Sequence, residues 1–174
     1  MKRFFTAVLV MAAVVLVAHG GLAQGNSRGT SKIALGGKAI SVEYGRPALK
    51  GRTVADLLDQ LKPGDFWRLG ADKSTTFSTA ADLQFGDVTV PAGQYSLWVE
   101  REANNSWKLV FNKQHGQWGT QHDASQDLAS APLKETKAPN SEEMVTIALS
   151  KRGPGGAIAI LWGDMKLSAD FKLK

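Results

Sequence analysis

Tyr44, Arg46, Arg52, Trp67, Arg68 and Asp72 bring three guanidinium groups, two aromatic rings and a carboxylate into one stretch of chain. An arginine fork donates two parallel hydrogen bonds to a carboxylate or a phosphate. The rings of Tyr44 and Trp67 offer flat faces on which a ligand can stack. The group is therefore expected to bind an anionic or polyhydroxyl ligand, a small molecule or a glycan. The same residues have structural uses. Arg46 could stitch strand ends together, Trp67 could fill the edge of a core, and Arg68 could pair with Asp65 or Asp72.

A second set of residues is more scattered. Trp98 and Trp118 are further aromatic surfaces, and His122 with Asp123 could join a site beside them. His115, His122 and Asp123 raise the question of a metal, but their spacing matches no ligand motif. They read as solvated loop residues, and no metal is expected. The chain has no cysteine, which excludes disulfides, thiolate metal sites, a cysteine nucleophile and a lipidated N-terminal cysteine. Ser, His and Asp are present without the Gly-x-Ser-x-Gly elbow that would expose a serine for attack. Asp65 with Asp72, or Asp123 with Asp127, are carboxylate pairs whose separation the sequence leaves open. Gly36-Gly37-Lys38 and Gly153 to Gly156 read as turns, because a phosphate loop would follow a strand and open a helix. No cofactor is expected.

The elements that must hold these residues are strands. Ile40, Val42 and Tyr44 alternate with Ser41 and Glu43, the period of a half-buried strand. The same alternation runs through Tyr95-Leu97-Val99, Trp107-Leu109-Phe111, Val145-Ile147-Leu149, Ile158-Ile160-Trp162 and Leu167 to Leu173. Shorter strands are expected at Phe77, Leu83-Phe85 and Val88-Val90. Gly86-Asp87 suits a two-residue hairpin turn with glycine at the position of positive φ. One segment has helical period: Val54, Leu57, Leu58 and Leu61 fall on one face, Thr53 can cap it with Asp56 three residues on, and Pro63-Gly64 stops it. Gln114 to Asn140 is polar and weakly periodic, and is expected to be a long connection. The fold class is all-β: an antiparallel sandwich or jelly-roll-like domain with one short amphipathic helix near residues 53–61. Trp98, Val110 and Leu161 turn away from the inward residues of their strands, and the helix is expected to cover that apolar face.

The N-terminus has a different character. Lys2 and Arg3 precede an apolar run from Phe4 to Ala18, and His19 to Ala23 supplies a small-residue exit. This is the layout of a secretory signal peptide over residues 1–23, with a core too short for a spanning helix of about 20 residues. Residues 24–31 are expected to be a flexible leader and 32–174 a single domain. The chain is expected in the periplasm or outside the cell, with no stable membrane insertion after cleavage. Its formal charge of +5 falls to +3 when Lys2 and Arg3 are removed. The remaining basic residues are dispersed, so no nucleic-acid partner is expected.

Several strings resemble a known bacterial family. Tyr44-Gly45-Arg46-Pro47, Lys50-Gly51-Arg52, Trp67 to Asp72 with Thr75-Thr76-Phe77, Pro91 to Leu97, Trp107 to Asn112, Trp118-Gly119-Thr120 and Leu161-Trp162-Gly163 occur in order. Together they resemble the family catalogued as domain of unknown function 2911, over roughly residues 30–174. The resemblance implies an exported, β-rich protein and brings no established activity, substrate or catalytic residue. The chain departs from the family's pattern at Asp72, where Asn is frequent, and at His122, where an aromatic is common. The reading that follows is an exported binding or interaction module. A hydrolase acting on envelope glycans or peptides and a structural envelope component are the alternatives.

Overall fold

The computed structural model describes residues 26–174. The expected signal segment, residues 1–23, lies outside the described residues. The described chain is all-β with one short helix. β1 (Arg28–Leu35) and β2 (Lys38–Gly45) form a hairpin, followed by α1 (Val54–Leu58) and the two-residue β3 (Phe66–Trp67). β4 (Thr76–Thr79), β5 (Leu83–Phe85) and β6 (Val88–Val90) are short, and β7 (Gly93–Arg101) and β8 (Trp107–Asn112) are longer. A 3-10 turn at Ala124–Gln126 leads into β9 (Asp127–Arg152) and β10 (Gly155–Leu173). Among the described residues no helix is long and apolar enough to cross a membrane.

All strand pairs are antiparallel, in the order β1-β2-β4-β7-β8-β9-β10-β5-β6, with β3 on the side of β7. The ladder is continuous, and it folds over because β9 changes partner along its length. Its start pairs with β8 up to Leu133, and from Lys134 onward it pairs with β10. Its far half meets the beginning of the chain, where the Leu49 amide donates to the Glu143 carbonyl at 2.9 Å and the Leu149 amide to the Ser31 hydroxyl at 2.9 Å. Strands that pass from one layer to another in this way turn the corners of β-domains.

The alternating residues point inward as their period requires. Val42, Phe77, Val99, Leu109, Phe111, Val145, Ile158, Ile160 and Leu167 are fully buried in one core. Hairpin chemistry fits too: Gly86 has φ 57°, and Phe85 faces Val88 across its two-residue turn. α1 starts as its cap predicts. The Thr53 hydroxyl accepts the Asp56 amide at 3.1 Å, and the Asp56 carboxylate accepts the Thr53 amide at 2.7 Å. These bonds, the backbone one first, hold the Asp56 carboxyl below the usual carboxylate range.

Three expectations need correction. The leader is shorter than 24–31, because Arg28 to Ser31 already pair with β2. Gly29, Thr30 and Ser31 carry no apolar alternation, so β2 imposes the strand, and the missing side chain of Gly29 leaves room for the Tyr44 ring, which a Cβ there would approach to 2.7 Å. The long connection over 114–140 stops at Gln126, since β9 begins at Asp127. Its inward positions there include the small Ala129 and Ala131, and Pro132 and Pro139 break the usual strand signal. The helix spans Val54–Leu58, shorter than 53–61, and Leu61 lies in the turn after it.

Candidate functional site

Two loops are tied together on one side of the domain. The first, residues 68–75, leaves β3 through Leu69 and Asp72, both at positive φ (51° and 62°). Asp is among the few residues that tolerate this conformation well; Leu69 is held in it by complete burial and by its carbonyl, which accepts the Thr75 hydroxyl at 2.7 Å. The second loop carries Gly116 to Gln126. The Gly119 amide donates to the Asp72 carbonyl at 2.7 Å, and the Ser74 amide to the Gln117 carbonyl at 2.9 Å. Gly119 is required here, since a Cβ would lie 2.8 Å from the Asp72 carbonyl oxygen. The result sets Gly119 directly beside the stem of Arg68.

The second loop is also anchored from below. Asn112, fully buried at the end of β8, donates through Nδ2 to the Asp123 carbonyl (2.8 Å) and to Oδ1 of Asp127 (2.7 Å). Its Oδ1 accepts the Gln114 amide at 2.9 Å. Asp127 in turn holds Nε2 of His122 at 2.9 Å. The His122 ring packs against Phe66 (centroids 4.2 Å apart) and Trp98 (4.6 Å). Trp98 is fixed through its indole N–H, which donates to the Ser96 hydroxyl at 3.0 Å. The apolar face of β7 is therefore covered in part by this loop. The helix does less of the covering than expected.

Between these loops and α1 lies a groove of about 420 Å³. Leu57, Leu58 and Leu61 form one wall, and Phe66, Trp67 and Trp98 line it with aromatic surface. Arg68, Thr120 and His122 supply its polar atoms. Trp67 is held from behind by Trp162, stacked at 5.5 Å with the planes 10° apart.

The residues singled out in the sequence separate cleanly. Trp67, Arg68, Trp98 and His122 converge on the groove. Tyr44 is buried in the core. Arg46 donates to the Val145 carbonyl (3.2 Å) and the Thr146 hydroxyl (3.1 Å), which stitches β2 to β9. Arg52 caps its own turn through the Leu49 carbonyl at 2.9 Å. Asp72 accepts the Asn26 amide at 3.0 Å, and Asp65 accepts the Lys62 amide at 2.7 Å. Neither carboxylate pairs with Arg68, whose guanidinium has no hydrogen-bond or ion-pair partner among the described residues. Asp123 caps the 3-10 turn, and the Ser125 hydroxyl and amide hold its carboxyl below the usual range. Trp118 is 53% exposed and stands outside the groove.

His122 corrects an expectation, because its side chain is only 13% exposed and is held by Asp127, whereas His115 is exposed. Among the described residues no group of three His, Asp or Glu side chains could hold a metal ion. Asn112, Asp127, Phe66 and Thr120 went unrecognised as parts of the site. Asn112 and Asp127 meet only through the start of β9, whose inward positions are small alanines. A larger cleft, about 600 Å³, opens where β9 leaves β10, but its Arg152 is paired with Asp170 at 3.4 Å.

The two arginine environments predict opposite results in unfolding experiments. Arg46→Met is expected to lose about 1–3 kcal/mol, because two partly buried charge-assisted bonds go. Arg68→Met is expected to stay within about 0.5 kcal/mol of the parent protein, since its apolar stem is kept and no partner is stranded. Urea denaturation of both variants checks the contrast, and equal losses would show that Arg68 is a structural residue.

Comparison with curated proteins and with solved structures returns no match. The family model described as protein of unknown function (DUF2911) matches residues 26–171, from just before β1 to near the end of β10, and the chain belongs to that family.

Proposed function

We propose that the protein is an exported binding module whose groove takes a small carboxylic acid with an apolar body. The observation that carries this reading is Arg68, a guanidinium without an internal partner at the rim of a groove walled by leucines and aromatic rings. A cation held in such surroundings gains a full charge-assisted pair when an anion arrives. Arg68 is the one residue of fixed charge among those lining the groove, which matches a monoanion. The groove's volume lies in the range of small-molecule sites, and its surface is mostly apolar with few polar groups, as such sites are. The charged start, apolar run and small-residue exit of residues 1–23 support export.

Titrating decanoate into the purified protein, followed by the fluorescence of Trp67 and Trp98, tests this reading. Saturable binding is expected, strengthening about fourfold per buried methylene as the chain is lengthened toward the groove's capacity. Decanol should bind at least tenfold more weakly, and Arg68→Met should lose a similar factor for the acid while leaving decanol unchanged. Equal affinity for acid and alcohol, or an unaltered acid affinity in Arg68→Met, would remove the groove from consideration as an anion site.

A further inference from the structure

Beyond the carboxylate contact, the groove contains a second polar group whose hydrogen-bonding role is fixed by the fold. Nε2 of His122 lies 2.9 Å from Oδ1 of Asp127. A carboxylate only accepts hydrogen bonds, so Nε2 must carry the proton. In the neutral ring Nδ1 is then left with a lone pair and no hydrogen, an acceptor. Asp127 is held in turn by Nδ2 of Asn112 at 2.7 Å, so the carboxylate cannot swing away and release the other tautomer without breaking that bond. The ring itself is clamped by Phe66 and Trp98. Nδ1 makes no hydrogen bond among the described residues and is not among the fully buried atoms left without one, and His122 is one of the residues that line the groove.

A groove that presents one fixed cation and one fixed acceptor reads two features of a ligand. Arg68 requires an anion, and Nδ1 of His122 requires a donor. We propose that the ligand class is a hydroxy acid: an apolar body bearing a carboxylate and, close to it, a hydroxyl that donates to Nδ1 of His122. This inference rests on the carboxylate reading of the groove and adds the donor requirement to it. An ether or a second acceptor at the same place would face the lone pair of Nδ1 with one of its own, and a plain hydrocarbon chain would leave Nδ1 dry and unpaired. Asn112 and Asp127 are positioning residues, which act by fixing the ring and its tautomer.

The test compares decanoate, 2-hydroxydecanoate, 3-hydroxydecanoate and the corresponding methoxy acids by calorimetry at about pH 8. One hydroxy acid should bind roughly three- to tenfold more tightly than decanoate, and its methoxy counterpart no better than decanoate. In His122→Phe, which keeps an aromatic ring against Phe66 and Trp98, the hydroxyl preference, read as the ratio of hydroxy-acid to decanoate affinity within that variant, should fall to about unity. A preference within twofold in the parent protein, or one that survives in His122→Phe, overturns the donor inference and leaves the carboxylate reading standing. Failure of every acid to bind overturns both. Nitrogen-15 spectra of the unmodified protein give an independent answer: Nε2 of His122 should show the pyrrole-type signal and Nδ1 the pyridine-type signal, and the reverse assignment overturns the inference.

Discussion

Replacing Phe111 by alanine is expected to cost about 3–5 kcal/mol, the largest single-site effect in the domain. Phe111 is fully buried at the middle of the ladder, on β8 between β7 and β9. Its ring meets Phe77 edge-on at 5.6 Å, Phe85 at 5.2 Å and Tyr95 edge-on at 6.2 Å. Those three rings come from β4, β5 and β7, so one side chain joins strands from both halves of the folded ladder. Each aromatic contact contributes about 0.5–1.5 kcal/mol beyond the area it buries. The surrounding strands cannot collapse into the cavity without breaking their registers. Because a domain is stable by only about 5–15 kcal/mol, the loss is a large fraction of the total. Urea unfolding should show a much lower midpoint with an unchanged slope. A loss below about 1 kcal/mol would mean that the strands do not meet at Phe111.

Asn112→Ala, one residue further along β8, is expected to lose about 2–4 kcal/mol by a different route. No large cavity is made. Instead the part-buried bonds to the Gln114 amide and the Asp123 carbonyl each lose a partner, and the Asp127 carboxylate keeps only His122 among the described residues. Each buried polar group left unpaired costs about 1–3 kcal/mol, partly relieved where water can enter the loop. The effect should be local as well as energetic. Amides of residues 113–126 should exchange faster with solvent, while those of β7 change only with global stability. The groove should lose its ligand as His122 comes free of Trp98. Phe111→Ala lowers stability too, but below its unfolding midpoint it should leave the groove intact. Faster exchange spread evenly over the domain in Asn112→Ala would show that the loop has no independent anchor.

The strands were legible wherever large apolar residues alternate, as in Tyr95 to Val99 and Trp107 to Phe111, because burial of one face demands that period. The first part of β9 was not, because alanines and prolines serve there and the partner strand supplies the order. β1 was hidden for the same reason. At the site, Trp67, Arg68, Trp98 and His122 could be picked out by residue type, but nothing local said that they share a groove while Arg46 and Arg52 are consumed by backbone carbonyls. That division depends on long-range contacts such as Arg46 to Val145. The two departures from the family's pattern have a physical reading. Asp72 occupies a left-handed position that Asn also accepts, and His122 fills a place between aromatic rings that suits an aromatic residue.

A crystal structure of the protein with 3-hydroxydecanoate decides whether the groove under Arg68 receives an acid. The carboxylate is expected within about 2.7–3.0 Å of the Arg68 guanidinium, with the alkyl chain running along Leu57, Leu61 and Trp67. An acid seated in the cleft beside Arg152, or lying in the groove with its carboxylate turned away from Arg68, would contradict that placement.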